Sequence, residues 1–168
     1  MSIRCAVNEN LSDAEKYESL LTQLESLINA DEPLISNLAN VTAALKAAFD
    51  KISWVGFYLL KKENLYLGPF QGNVACTMIE TGKGVCGLSA LKRETVIVDD
   101  VEKFPGHIAC EAGTRSEIVI PLHDEDIVFG VLDLDSYHYS SFNETDKLYL
   151  EKLCKLLTKK LPFKYLVL

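Results

Sequence analysis

The chain has 168 residues, 48% of them hydrophobic and 24% charged, with a formal net charge of −7 at pH 7 and an isoelectric point near 5.0. This length suits one domain of about 100–200 residues. The negative charge, and the lack of a Lys/Arg stripe interleaved with aromatic residues, argue against nucleic acid as a partner.

The start of the sequence, MSIRCAVNEN, lacks the apolar core of a secretory signal. The apolar runs are also far shorter than the roughly 20 residues of a membrane span. We therefore expect a cytoplasmic protein that does not bind membranes. In a reducing cytosol its five cysteines should be mostly free thiols, and any disulfide should be transient.

The first part of the sequence predicts two helices and a β-hairpin. A capping box over residues 12–15 opens a helix that runs to about residue 29. Pro33 begins a second helix, whose hydrophobic residues recur at three- and four-residue spacing. Residues 52–60 are rich in branched and aromatic side chains and predict a strand, with which residues 65–70 pair across a polar turn.

The rest of the sequence predicts short elements and a closing helix. We expect strands at residues 75–79, 95–98, 116–122 and 127–134, a short helix near residues 87–92, and a loop over residues 99–114. Asn143 caps a last helix that ends near residue 160. These elements predict a single α+β domain over residues 1–168, with a mainly antiparallel five- to six-stranded sheet flanked by helices.

Three cysteines in the middle of the chain, Cys76, Cys86 and Cys110, are the strongest indication of chemistry. A thiolate can attack the sulfur of an S=O bond, and a second thiol can clear the oxidised cysteine as a disulfide. Cys110 follows Lys103 and His107 in the predicted loop, and a cationic neighbour would lower the pKa of its thiol. Cys76 and Cys86 lie in a glycine-broken segment whose mobility would bring one of them onto an oxidised partner.

Two other uses of these cysteines compete with redox chemistry. A lone cysteine is better explained as a small, inert buried hydrophobe, and it is the presence of Cys76 and Cys86 that favours redox chemistry. His107 and Cys110 have an acceptable spacing for zinc, but Cys76 and Cys86 stand too far apart to form the usual close second pair of ligands. We therefore expect no metal.

Three acidic residues are predicted to converge. Asp133 and Asp135 are two residues apart near the end of a predicted strand, so their side chains leave the same face about 6.6 Å apart along the strand. Glu117 comes from the expected antiparallel neighbour. Repulsion would raise the pKa of at least one carboxyl, and the proton it keeps suits the oxygen of a sulfoxide. A solvated acidic strand end explains the same pattern.

Trp54 is the only tryptophan and lies in an apolar predicted strand. Its position favours a core residue. As the wall of a pocket it would also pack well against a methyl or sulfonium group.

Six blocks of the sequence resemble, in the same order, those of the free methionine-(R)-sulfoxide reductases. They are WVGFY from Trp54, GPFQGNVAC ending at Cys76, GKGVCG from Gly82, FPGHIAC ending at Cys110, SEIVIP from Ser116 and GVLDLDS from Gly130. The resemblance covers about residues 12–160. It implies a GAF-type fold and action on the free amino acid, and it is the only ground for naming methionine or the R epimer.

The resemblance also implies roles for the matching cysteines. Cys110 would attack the sulfoxide and become a sulfenic acid. Cys76 or Cys86 would resolve it as a disulfide, and the resemblance gives equal support to both. Thioredoxin would be the reductant, and no bound cofactor is expected. Whether the chain forms a homodimer is left open.

The remaining matching residues would bind substrate. Trp54 would wall the methyl-sulfur end, and Asp99 would be a further polar contact. Glu117, Asp133 and Asp135 would polarise or protonate the sulfoxide and orient the amino acid. The division of these roles among the three acids is left open, with Asp135 as the first candidate for the proton donor.

A non-catalytic GAF-type sensor of small molecules is the alternative function. The spacing of Phe142 and Asp146 is similar to part of a motif of cyclic-nucleotide-binding GAF domains. No predicted helix is long enough to transmit a signal, and a sensor has no need of three cysteines in the middle of the chain.

Overall fold

The chain folds into four α-helices and six β-strands within residues 8–108, 113–125 and 127–165, which are the residues that the computed structural model describes. The helices are α1 (Asp13–Leu27), α2 (Leu34–Ala48), α3 (Gly84–Lys92) and α4 (Glu144–Lys160). The strands are β1 (Trp54–Lys61), β2 (Asn64–Gln71), β3 (Met78–Glu80), β4 (Val96–Val98), β5 (Ser116–His123) and β6 (Val128–Ser136). The predicted α+β class is confirmed.

The six strands form one sheet in the order β3-β2-β1-β6-β5-β4. Each neighbouring pair is antiparallel. The central strands β1 and β6 are buried on both faces, because helices cover both sides of the sheet. This explains why β1 reads as a nearly continuous apolar run.

Helices α2 and α4 pack directly on one face of the sheet, and α1 packs against both of them. The core between these layers consists of large apolar side chains, among them Leu38, Leu45, Phe57, Leu132 and Leu150. The predicted capping residues are in place. Ser12 and Glu15 form the capping box of α1, and Asn143 caps α4. The hydrophobic residues that recur along α2 are buried as expected, and α4 also buries one face, with Leu150, Leu153, Cys154 and Leu157 turned inward.

The opposite face of the sheet carries the short helix α3 and a second, smaller core. Trp54 and Tyr58 point to this face from β1, and Val119 and Val131 point to it from β5 and β6. Since side chains alternate along a strand, Asp133, Asp135 and Glu117 share this face with them.

Three boundaries differ from the predictions, and each affects the site. Strand β3 lies at Met78–Glu80, so it leaves Cys76 in the preceding loop. Helix α3 begins at Gly84, which has a φ of +60°, so Cys86 is helical and not part of a mobile glycine-broken segment. Strand β6 continues to Ser136, because β5 pairs with it up to that residue. The two aspartates therefore lie inside the strand.

No helix among the described residues is long and apolar enough to cross a membrane.

Candidate active site

A small cavity lies on the α3 side of the sheet, over the pairing of β5 with β6. Its volume is about 20 Å³, which is close to the space that one water molecule needs. The side chains that line it are mainly polar or ionisable: Cys86, His107, Thr114, Glu117, Asp133 and Asp135, with Ile79, Val85 and Ile108 as apolar neighbours.

The three predicted acids converge at this cavity. Glu117 is directly opposite Asp135 in the β5–β6 register, and Val119 is opposite Asp133. The exposed fractions of Glu117, Asp133 and Asp135 are only 5%, 5% and 6%. A solvated acidic strand end is thereby excluded, and the carboxyls form a buried cluster.

Glu117 is the carboxyl with the clearest change in protonation. Burial raises its pKa well above the usual range of a glutamic acid, and the negative charge of Asp135 raises it further, while a hydrogen bond with Asp133 acts in the opposite direction. The sequence predicted a raised pKa from repulsion. Desolvation is the larger cause, and a protonated Glu117 is the result.

Cys86 is a buried thiol on the wall of the cavity. It lies in the first turn of α3, and its Sγ donates a hydrogen bond to Oδ2 of Asp133 at 3.2 Å. Burial raises the pKa of this thiol well above its usual range, and the neighbouring carboxylate of Asp133 adds to the effect. Cys86 is therefore a protonated thiol, not a thiolate.

His107 and Thr114 belong to the cavity, although the sequence assigned them no place in it. Nε2 of His107 is 3.4 Å from Oε2 of Glu117. The Thr114 side chain is buried, and its hydroxyl has no hydrogen-bond partner among the described residues. The position of His107 in the FPGHIAC block is a signal for its role, whereas no sequence pattern singles out Thr114.

The predicted nucleophile, Cys110, lies outside the described residues. Its two expected cationic neighbours are described. Burial lowers the pKa of His107, so its imidazole is neutral at neutral pH. The Lys103 side chain is 83% exposed and pairs with Asp100. The interpretation that His107 supplies a positive charge is therefore wrong for the conformation described.

Trp54 lies on the cavity side of the sheet but does not line the cavity. Its indole is 1% exposed, stacks on Tyr58 and Phe70 and donates a hydrogen bond from Nε1 to the carbonyl of Asn73 at 3.0 Å. The indole also occupies the space that a Cβ at Gly56 would need. This tryptophan has the setting of a core residue next to the site, and its role as a pocket wall stays a prediction.

Two further predicted residues are not among those that line the cavity. Cys76 is half-buried in the loop after β2, where its carbonyl accepts a hydrogen bond from the Tyr58 hydroxyl at 3.0 Å. Asp99 is exposed, and its backbone carbonyl accepts a hydrogen bond from the amide of Ser140. The direct contact of Asp99 with substrate also stays a prediction.

The residues that suggested a sensor motif lie on the helix side of the sheet. Asp146 is fully buried, forms an ion pair with Lys51 at 2.7 Å and accepts a hydrogen bond from the Tyr17 hydroxyl at 2.8 Å. Phe142 belongs to the main core. Both residues hold α4 in place, so they give no support to a ligand-binding motif.

Comparison with known proteins agrees with this architecture. The family model described as "GAF domain" matches residues 15–161. "GAF domain-containing protein A" of Dictyostelium discoideum is 54% identical over 87% of this chain and 92% of its own length. A "Free methionine-R-sulfoxide reductase" of Saccharomyces cerevisiae is 46% identical over 94% of this chain and 92% of its own.

A solved structure extends the comparison to the backbone. The free methionine-R-sulfoxide reductase from Neisseria meningitidis, in complex with its substrate, has a TM-score of 0.87 and 48% identity, over 94% of this chain and 95% of that one. The chain belongs to the GAF-domain family and, within it, to the family of the free methionine-R-sulfoxide reductases. The resemblance noted in the sequence is confirmed.

Proposed function

We propose that this chain reduces free L-methionine-(R)-sulfoxide to L-methionine. The observation that carries the proposal is the buried carboxyl of Glu117, which keeps a proton in a cavity beside two further carboxyls. The relatives named as free methionine-R-sulfoxide reductases support the identity of the substrate, which no contact in the cavity specifies.

In the first step, the Cys110 thiolate attacks the sulfoxide sulfur and Glu117 donates its proton to the oxygen. The protonated oxygen passes from the substrate sulfur to the Cys110 sulfur. The S–O bond of the substrate breaks, a new S–O bond makes Cys110 a sulfenic acid, and methionine leaves with its sulfur reduced by the two electrons that Cys110 loses. Glu117 then regains a proton from water. The sequence suggested Asp135 as the donor, but the raised pKa of Glu117 makes it the better acid.

Asp133 and Asp135 suit the ammonium group of the substrate. Two carboxylates in a site of low dielectric attract one ammonium strongly. Asp133 also accepts the hydrogen bond of Cys86, which fixes the orientation of its carboxylate. These two aspartates would therefore align the amino acid while Glu117 acts on the sulfoxide.

Cys76 is the better candidate for the resolving thiol. It lies half-buried in a loop, whereas Cys86 is buried in α3 and its pKa is raised. A resolving cysteine must reach the sulfenic acid, displace water and leave a disulfide that a dithiol reductant can attack. A cysteine in a loop can make these movements with less disruption of packing than a cysteine buried in a helix. Thioredoxin as that reductant, a cytoplasmic location and a single domain over residues 1–168 remain predictions.

The direct test follows the loss of each epimer of free methionine sulfoxide with excess dithiothreitol as reductant. The R epimer should be consumed and the S epimer left. Cys110→Ser should abolish turnover, because a hydroxyl has far too high a pKa to replace the attacking thiolate. Cys154→Ser, in the buried stripe of α4, is the matched control and should retain activity. Substantial activity in Cys110→Ser would reject the assignment of the nucleophile.

A further inference from the structure

Donor atoms of three chemical kinds meet in the cavity. The candidate ligand atoms of Cys86, Glu117 and Asp133 all lie within 4.8 Å of one another. Nε2 of His107 is 3.4 Å from Oε2 of Glu117. The ligands of a tetrahedral zinc ion, at 2.0–2.3 Å from the metal, stand about 3.3–3.8 Å apart. The three side chains of this group therefore need only small shifts to share one ion, and His107, in contact with Glu117, is the neighbouring residue that would have to turn toward it as a fourth ligand.

The size of the cavity and an unused polar group both favour a small ligand. Its volume of about 20 Å³ suits one water-sized species, and an amino acid needs the covering residues to move. The Thr114 side chain is 8% exposed, and its hydroxyl has no hydrogen-bond partner among the described residues. A ligand in the cavity, or a water bound to it, would satisfy that hydroxyl.

The donor atoms of the cavity suit a metal cation. Three carboxyls and a thiol lie buried together there. A metal that binds Cys86 and Glu117 would release the protons that these two side chains carry, because only the thiolate and the carboxylate are ligands. A mixture of thiolate, imidazole and carboxylate suits zinc, whereas magnesium and calcium prefer oxygen ligands alone.

We propose that this cavity binds one Zn²⁺ through Cys86, Asp133, Glu117 and His107, and that the bound zinc inhibits the enzyme. This set differs from the pairing of His107 with Cys110 that the sequence suggested. Zinc would occupy the carboxyl that protonates the sulfoxide and the aspartate that aligns the amino acid, so metal and substrate exclude each other. Only the inhibition rests on the proposed function, because metal binding is measured without turnover.

The binding test uses the full chain, kept reduced with a phosphine, and zinc titrated against a chromophoric chelator. We expect one equivalent to bind. Cys86→Ser should weaken binding by more than the 10–100-fold that losing an outer-shell partner costs. Cys76→Ser, the matched loop cysteine, should bind as the wild type does. With Co²⁺ as a probe, the thiolate-to-metal absorption band should be absent from Cys86→Ser and present in Cys76→Ser.

His107→Gln is the second variant, in case Cys86→Ser does not fold, and it should also weaken binding. The site is overturned if zinc binding survives both substitutions. It is also overturned if binding is lost in Cys76→Ser or Cys110→Ser instead, or if the wild type does not bind one equivalent.

The inhibition has its own test. In an active preparation, zinc should slow the reduction competitively with the sulfoxide, and a chelator should restore the rate. Zinc that binds through Cys86 without changing the rate overturns the inhibitory role. A preparation that binds zinc but reduces no sulfoxide contradicts the proposed function and leaves the metal site standing.

Discussion

The carboxyl of Glu117 lies between Asp135, its cross-strand partner, and the imidazole of His107, with 3.4 Å between Oε2 and Nε2. Neither neighbour compensates a negative charge, because Asp135 is acidic and burial lowers the pKa of His107. Burial and the charge of Asp135 therefore raise the pKa of Glu117, and the hydrogen bond with Asp133 offsets only part of that rise. A side chain that keeps its proton in this way is suited to act as an acid near neutral pH.

Glu117→Gln should slow the first chemical step by about 10²–10⁴-fold, the usual scale for general acid catalysis. Single-turnover formation of methionine, with Cys110 reduced beforehand, measures that step. In the wild type the rate should fall as the pH rises through the raised pKa of Glu117, and this dependence should be absent from the variant. If Asp135→Asn removes the step and Glu117→Gln does not, Asp135 is the donor, as the sequence suggested.

The stability of Glu117→Gln provides an independent control. The unfolded glutamate ionises near pH 4.5, whereas the folded one resists ionisation. Its contribution to stability is therefore greatest below that pH and is lost as the pH rises through the folded pKa. Since glutamine does not ionise, the melting temperature of the variant should increase relative to the wild type across this range. A pH-independent difference would mean that Glu117 is not protonated in the fold.

The roles of Cys76 and Cys86 can be distinguished by the reductant used in the activity assay. Cys76→Ser should retain methionine formation with dithiothreitol but lose most of its turnover with thioredoxin, because the reductant then meets a sulfenic acid instead of a disulfide. Cys86→Ser should keep turnover with both reductants. Mass spectrometry after one equivalent of substrate should find Cys110 bonded to Cys76 in the wild type. A bond to Cys86 would reverse this assignment.

At the scale of elements, a buried ion pair joins the start of α4 to the segment before β1. Lys51 lies 2.7 Å from Asp146 and 2.6 Å from Asp13 at the start of α1. Asp146 also accepts a hydrogen bond from the backbone amide of Asn143, which completes the capping box of α4. One carboxylate thus satisfies a helix terminus and ties two helices together, far from the cavity.

Asp146→Ala should destabilise the fold by about 3–5 kcal/mol, because it leaves the half-buried Lys51 ammonium with Asp13 alone, removes the partner of the buried Tyr17 hydroxyl and removes half of the capping box. For a chain of this size the melting temperature should fall by roughly 6–20 °C. Glu144→Ala, an exposed acid in the same turn, should change it little. The kcat/KM of Asp146→Ala should stay unchanged at temperatures where it is folded. A large loss there would connect this pair to the site.

At the scale of the molecule, the two faces of the sheet have different roles. The face covered by α1, α2 and α4 carries the larger core, and the face below α3 carries the ionisable cluster. The cavity is too small for the proposed substrate, methionine sulfoxide, whose binding would require displacement of the residues above it. Ile108 is one of them, since its side chain lies over Gly84 at the start of α3.

A site that closes over a free amino acid should reject one with a blocked ammonium. N-acetyl-methionine-(R)-sulfoxide has lost the cationic group that Asp133 and Asp135 would pair with, and its acyl group needs additional room. Sites that pair a substrate group reject analogues without it by about 10⁴–10⁵-fold. Measuring kcat/KM for the two compounds side by side tests this. Comparable values would indicate an open site and a protein-repair enzyme.

Local patterns in the sequence determined the elements and their inward faces. The Ser12 and Asn143 caps depend on residues within three positions of each other, and both are found in the structure. Alternation along β5 and β6 was sufficient to predict that Glu117, Asp133 and Asp135 share one face. The family blocks were the only ground for expecting methionine sulfoxide as the substrate, because no pattern of charge or periodicity indicates it.

Only the tertiary structure decided the protonation states and the neighbours of these residues. The pKa of Glu117 depends on burial beneath α3, and the pKa of Cys86 depends on an aspartate 47 positions away. The neutral His107 and the buried Trp54 likewise result from segments that meet only in the fold. Desolvation and Coulomb interactions act through space, and a sequence pattern records only neighbours along the chain.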